Sequence, residues 1–203
     1  MGGEFRAFKG IGASDGVRAA LLERPVAPEP CDGAMRGRVE ELFAGCSVKT
    51  PLGPRPIASL MDPDVARGLC VWVSDQVTEA LLFNQELEGQ TWDDERGPAW
   101  LDSIMEVKTL GFGAYVSLGG GGDVGFVAWV DHDDLEDEDD EGRVLEADHM
   151  VTALWIDEGG TGYAKWVVDC TASQFGAQAW PLVSRWDDYE VWVRRVLEAK
   201  ARE

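Results

Sequence analysis

The chain has 203 residues, enough for one domain with a core of its own. A content of 45% apolar residues with nine Trp excludes a disordered chain, despite a formal net charge of −20. That charge argues against a surface that tracks nucleic-acid phosphates or docks on anionic lipid, because both need clustered Lys and Arg; a cationic partner or plain solubility remains.

No apolar run approaches the roughly 20 residues needed to cross a bilayer. The opening Met-Gly-Gly-Glu-Phe-Arg lacks a signal-peptide core, and Arg6 breaks the myristoylation pattern. Cys31, Cys46, Cys70 and Cys170 are widely spaced without a C-x-x-C pair, and there are two His. The expectation is a cytoplasmic protein with free thiols and neither a metal site nor a cofactor.

Residues 1–58 read as an N-terminal arm or helical extension, and 59–203 as the main domain. Gly10-Ile11-Gly12-Ala13-Ser14-Asp15-Gly16 resembles a dinucleotide fingerprint but carries one residue too many before its last Gly, with no strand ahead of it. It is a loop on this reading, followed by a short helix over 17–23 and a proline-bearing connector over 25–32. A helix over 34–44 turns Met35, Val39, Leu42 and Phe43 inward and stops at Gly45. Residues 51–56, with three prolines, mark a loop.

Asp62 is an N-cap and Pro63 a first helical residue. Gly68 breaks that turn and Cys70 opens a longer helix, with Val73, Val77 and Leu81 on the same face. A cysteine at a helix N-terminus meets unpaired N–H groups and the positive end of the dipole, a setting that favours the thiolate. A polar loop spans 91–99. Strands are predicted over 104–110, 113–118 and 124–130, with Gly119 to Gly122 as a turn. Residues 131–141 hold nine carboxylates in eleven positions and form a solvated loop. His132 lies inside it, where its neighbours keep it cationic and a poor base. Either the loop projects away from a thiolate or a basic substrate segment neutralises it.

The stretch from His149 to Phe175 organises the rest. Two Trp-bearing β-rich runs flank a Gly-containing turn, as in a β-hairpin. With the turn at 157–161, Ile156 faces Gly162 and His149 faces Asp169 on the same side of the sheet. Histidine and aspartate are then in hydrogen-bonding reach, and Cys70 is the nucleophile the chain offers to complete the set. Cys170 points to the opposite face by alternation, and Cys46 follows a helix C-terminus that disfavours a thiolate. Trp180-Pro181 ends the sheet region, and a closing amphipathic helix from Asp187 turns Tyr189, Val193, Val196 and Leu197 inward.

Gly68-Leu69-Cys70-Val71-Trp72-Val73-Ser74, His149, and Trp166-Val167-Val168-Asp169-Cys170-Thr171-Ala172-Ser173-Gln174-Phe175 resemble the papain-like and transglutaminase-like cysteine hydrolase superfamily. The last run is similar to the W-V-V-D-x-T-A-x-Q-F end of papain-like bacterial toxin and effector domains, several of which deamidate or cleave proteins. The resemblance covers about residues 60–176. It implies an α+β papain-like fold, with N-terminal helices carrying the Cys packed on an antiparallel sheet carrying His and Asp. It also implies Cys70 as nucleophile, His149 as proton acceptor and Asp169 as the group fixing the imidazole tautomer. The backbone N–H of Cys70 is the first oxyanion donor, and Trp72 or Gln174 are candidates for the second. The expected activity is thiol-dependent hydrolysis of an amide in a protein or peptide, by peptide-bond cleavage or glutamine deamidation, with transamidation and a small thioester donor also open. The substrate would be a basic segment if the acidic loop takes part. The competing expectation is an inactive acidic binding protein that occupies a basic partner.

Overall fold

In a computed structural model, the structure describes residues 29–83, 100–116, 124–128, 149–159 and 162–201. The Gly10 to Gly16 loop, the helix over 17–23, the polar loop over 91–99, the four-glycine turn, and the acidic segment with His132 lie outside the described residues.

The first helix, α1 (Gly33–Leu42), starts at Asp32, whose side chain accepts from the Met35 N–H at 2.8 Å. Its buried side is Met35, Val39 and Leu42, with Phe43 buried just after it. A two-residue pairing of β1 (Ser47–Val48) with β2 (Arg55–Pro56) closes the proline loop, and a 3₁₀ turn over Ile57–Met61 follows. Asp62 caps α2 (Pro63–Ala66) by accepting from Asp64 N–H at 2.9 Å. Gly68, at φ 73°, turns the chain into α3 (Cys70–Phe83).

Residues 29–58 are built into the same core as the rest. Phe43, Cys46, Val48 and Ile57 cluster with Val73 and Val77 of α3. Farther along, the Glu29 carboxylate accepts from the backbone N–H groups of Gln178 and Ala179, both at 2.6 Å.

The fold is α+β, with one five-stranded antiparallel sheet: β3 (Ile104–Val116), β4 (Val124–Ala128), β5 (His149–Asp157), β6 (Tyr163–Asp169) and β7 (Leu182–Arg185), in the order β4-β3-β5-β6-β7. Two predicted strands are one, because β3 runs straight through Gly111-Phe112-Gly113. The reason is Phe112, fully buried with its ring centroid 5.5 Å from Trp186, 5.7 Å from Phe126 and 5.7 Å from Tyr189. The sheet also extends past Trp180-Pro181, since β7 pairs with β6 from Trp166↔Arg185 to Asp169↔Leu182.

Both faces of the sheet are covered, which is why β5 is buried at nearly every position instead of alternately. One face, with Val107, Leu154, Ile156 and Val168, meets α3 and the N-terminal elements. The other, with Leu110, Val151, Ala153, Val167 and Leu182, meets the closing helix α4 (Trp186–Ala201) through Tyr189, Trp192, Val193, Val196 and Leu197. Each such aliphatic side chain contributes about 1.5–3 kcal/mol by leaving water.

Helix α3 is also pinned by polar contacts that fix its slide along the sheet. Thr109 and Thr152 are direct cross-strand partners. The Thr152 hydroxyl reaches the Ser74 carbonyl at 3.0 Å and lies 3.1 Å from the Thr78 hydroxyl, which in turn accepts from Thr109 at 3.0 Å. Nonpolar contacts alone would tolerate a shift of the helix; these directional bonds do not. Thr152→Val keeps the shape but strips this network of its centre, removing the donor to the Ser74 carbonyl and the partner of the Thr78 hydroxyl. The expected loss is about 1–3 kcal/mol of unfolding free energy, read as a lower urea midpoint at an unchanged slope.

Candidate active site

His149 opens β5 and Asp169 closes β6, and their side chains meet with Nε2 2.7 Å from Oδ2. The imidazole is 0% exposed and the carboxylate 1%. The register that brings them together differs from the expected one. Asp157 pairs with Tyr163 and Ile156 with Ala164, so β5 runs one residue further than predicted and β6 begins one residue later. Gly162 has φ 120°, which belongs in a turn and not in a strand, and the Asp157 carboxylate accepts from the Gly159 N–H at 2.8 Å. The shift moves each partner by two residues, which preserves the face. His149 and Asp169 are therefore diagonal neighbours, still within reach of these side chains.

Asp169 accepts four hydrogen bonds. Its Oδ1 takes the Thr171 N–H at 2.8 Å and the Thr171 hydroxyl at 3.1 Å, while Oδ2 takes His149 and the Tyr189 hydroxyl, each at 2.7 Å. Burial by itself pushes this carboxyl up, but the imidazolium, the Tyr189 hydroxyl and the Thr171 N–H outweigh it and hold it below its ordinary range. The Tyr189 phenol is driven the other way, well above 10, by burial and by the same carboxylate. Burial works against a charged imidazole too, yet Asp169 first and Cys70 second raise His149 to about 9. The edge of the ring packs on Phe175 with centroids 4.5 Å apart.

With Nε2 held by Asp169, the other ring nitrogen, Nδ1, is buried and without a hydrogen-bond partner. Cys70 is close enough to act on the imidazole charge, but the pair is not aligned as a formed hydrogen bond. Such contacts are often loose before substrate binds. The approach of the sulfur is not obvious from the layers, since His149 and Asp169 point to the α4 face while α3 lies on the other. Pairing resolves it. The β5–β6 ladder ends at Thr152↔Val168, whereas β5 stays with β3 down to Phe112↔His149 and β6 stays with β7 down to Asp169↔Leu182. The sheet forks at this end. A narrow cleft there, with no room for a water molecule, is lined from both strands and the helix by Cys70, Ser74, Met150, Thr152, Asp169 and Thr171 among others, though not by His149.

Cys70 is 8% exposed and is the first residue of α3. The Val73 N–H bonds to the Leu69 carbonyl at 2.9 Å, which makes Leu69 the cap. The N–H groups of Cys70 and Val71 therefore have no carbonyl a turn earlier within the helix. Of the two side-chain candidates for oxyanion donor, Trp72 is 41% exposed and points outward. Gln174 is buried with Nε2 unpartnered, but it is not among the residues lining the cleft. The rival thiols are unsuited to nucleophilic attack. Cys170 is buried and pushed far up by burial and by Asp169, and Cys46 is buried, pushed up by burial, with its sulfur 3.7 Å from the Leu42 carbonyl. All four cysteines are free. Among the described residues, no group of three or more His, Cys, Asp and Glu could hold a metal ion, and no helix is long and apolar enough to cross a membrane.

Tyr189 is the site residue that sequence reasoning placed only in the core. A signal existed: a tyrosine on the inward side of an amphipathic helix carries a hydroxyl that needs a buried partner.

The buried pair has a pH signature. His149 titrates higher in the folded chain, at about 9, than its ordinary 6.5, so its contribution is complete below pH 6.5 and disappears as pH rises through about 9. Asp169 titrates lower than normal, so its contribution is present above about pH 4 and is lost as pH falls. Urea unfolding should therefore show maximal stability between about pH 4 and 6.5, then a loss on the order of 3 kcal/mol between pH 6.5 and 9.5. A flat profile across that alkaline window would rule out His149 as the buried cation.

Searches against protein-family models, curated proteins and solved structures find no match to this chain.

Proposed function

We propose that this protein is a papain-like, thiol-dependent hydrolase that cleaves an amide in a protein or peptide, as a peptidase or a glutamine deamidase. The observation that carries the reading is the buried imidazole of His149: one nitrogen is fixed on Asp169 at 2.7 Å and the other is left without a partner near the Cys70 thiol. A carboxylate that orients a histidine, next to a thiol at a helix N-terminus, is the arrangement that acyl transfer requires.

In the reaction assigned to these residues the proton of Cys70 Sγ already resides on His149 at neutral pH, so that a thiolate faces an imidazolium that Asp169 stabilises. The thiolate attacks the carbonyl carbon and the oxygen becomes an oxyanion. The N–H groups of Cys70 and Val71 at the start of α3 are suited to receive that charge. Collapse of the intermediate breaks the C–N bond, the His149 proton goes to the departing amine, and a thioester remains on Cys70. Water, giving its proton back to His149, attacks the thioester and releases a carboxylic acid and the thiol. With a peptide bond the first product is a shortened chain; with a glutamine side chain it is ammonia. The chain's charge of −20 favours a basic protein or peptide segment as substrate.

Iodoacetamide at neutral pH tests the nucleophile without knowledge of the substrate. Cys70 should label about tenfold faster than Cys31, although Cys31 is exposed, and faster still than the buried Cys46 and Cys170. His149→Ala should bring Cys70 down to the rate of an ordinary thiol. Slow, even labelling of all four in the wild type would instead support an acidic binding module.

A further inference from the structure

The catalytic carboxylate has a fourth element on it that no step of the proposed reaction uses. Tyr189 sits in the first turns of α4, fully buried, and its hydroxyl donates to Asp169 Oδ2 at 2.7 Å. The same oxygen receives His149 Nε2 at the same distance. Packing alone would be satisfied by a phenyl ring, since Tyr189 also packs at a tilt against Phe112 and Trp192, with centroids 5.7 Å and 5.6 Å away. The hydroxyl therefore does something besides fill space: it competes with the imidazole for one carboxylate oxygen. We propose that Tyr189 is a positioning residue that weakens and orients the hold of Asp169 on His149, keeping the imidazole able to give its proton up to a leaving group.

The inference rests on the hydrolase reading for its purpose, but the coupling it asserts is measurable without turnover. A carboxylate that shares its charge with a phenol supports a neighbouring cation less than one that does not. An imidazolium held too tightly is a poor acid, so the donor on the far side of Asp169 sets the compromise. The ionisable groups of the described residues that act on this site are Cys70 from α3, His149 from β5, Asp169 and Cys170 from the end of β6, and Tyr189 from α4. The strand β3 presents uncharged Phe112, and the segment after β6 presents Thr171 and Phe175.

The test is Tyr189→Phe, read by NMR titration of the histidine rings in the full chain. There are only two His, so the His149 resonance is assigned by its absence in His149→Gln. Loss of the phenol should move the His149 titration up by about half a pH unit or more, and should move the alkaline limb of Cys70 alkylation in the same direction. If Tyr189→Phe does not fold, growth on 3-fluorotyrosine gives the opposite perturbation: all three tyrosines become stronger donors, and His149 should move down. A His149 titration that does not respond in either protein overturns the proposal, even if the melting temperature falls, because that is what a purely structural tyrosine would give. A shift of His149 without fast labelling of Cys70 would retain the coupling and sink the hydrolase reading instead.

Discussion

The ion pair between His149 and Asp169 is the constraint around which this structure is arranged. Both groups are removed from water, and the effective cost of that is several kcal/mol per charge unless good geometry and further hydrogen bonds offset it. Here the offset comes from Thr171 in the turn after β6 and from Tyr189 in α4, so the carboxylate is solvated by the protein where water is excluded. Deleting one member should be far more damaging than deleting both, because a lone buried charge remains. A well-packed apolar pair would serve stability as well. Fold stability is therefore an insufficient reason for two ionised groups at this place.

The second constraint is how a helix on one face of the sheet can serve an imidazole on the other. An unbroken ladder would wall the two off. The separation of β5 from β6 beyond Thr152↔Val168, with each strand still held by its outer neighbour, opens the sheet without leaving it ragged. The thiol enters through that opening because α3 begins there, and its axial position is set by the hydroxyls of Thr78, Thr109 and Thr152 one to three turns further on. The carbonyl of Ser74, in the first turns of α3, accepts from the strand that carries His149. A displacement of α3 by a single residue would take Cys70 away from the imidazole, so this contact ties helix placement directly to the site.

Much of this was legible in the sequence, for identifiable reasons. The starts of α2 and α3 were readable because Asp62, Pro63 and Gly68 each act through local stereochemistry. The inward faces of α1, α3 and α4 followed from helical period. The common face of His149 and Asp169 survived a misplaced turn because a hairpin slipped by one residue at its tip shifts pairing by two, and sidedness has a period of two. What stayed hidden depended on contacts distant in sequence. Gly111 and Gly113 looked like a break because the aromatic neighbours that hold Phe112 come from β4 and α4. The strand β7 was missed because four residues after a proline carry little pattern of their own, and its pairing with β6 is set by tertiary packing. The fork is the extreme case, since no local signal says where two strands stop bonding.

The two thiols at this end of the sheet show the same logic in energetic form. Cys170 is beside Asp169 in sequence, lines the same cleft as Cys70, and would be the natural guess from proximity. Yet alternation turns it to the α3 face, where burial and the adjacent carboxylate both oppose a thiolate. Cys70 is placed differently: it opens α3, where the first N–H groups have no carbonyl a turn earlier within the helix, and it lies near an imidazole that Asp169 keeps protonated up to about pH 9. Two thiols a short way apart are thus separated by the sign of the charge each faces, and that sign is fixed by which end of α3 and which side of β6 the fork exposes.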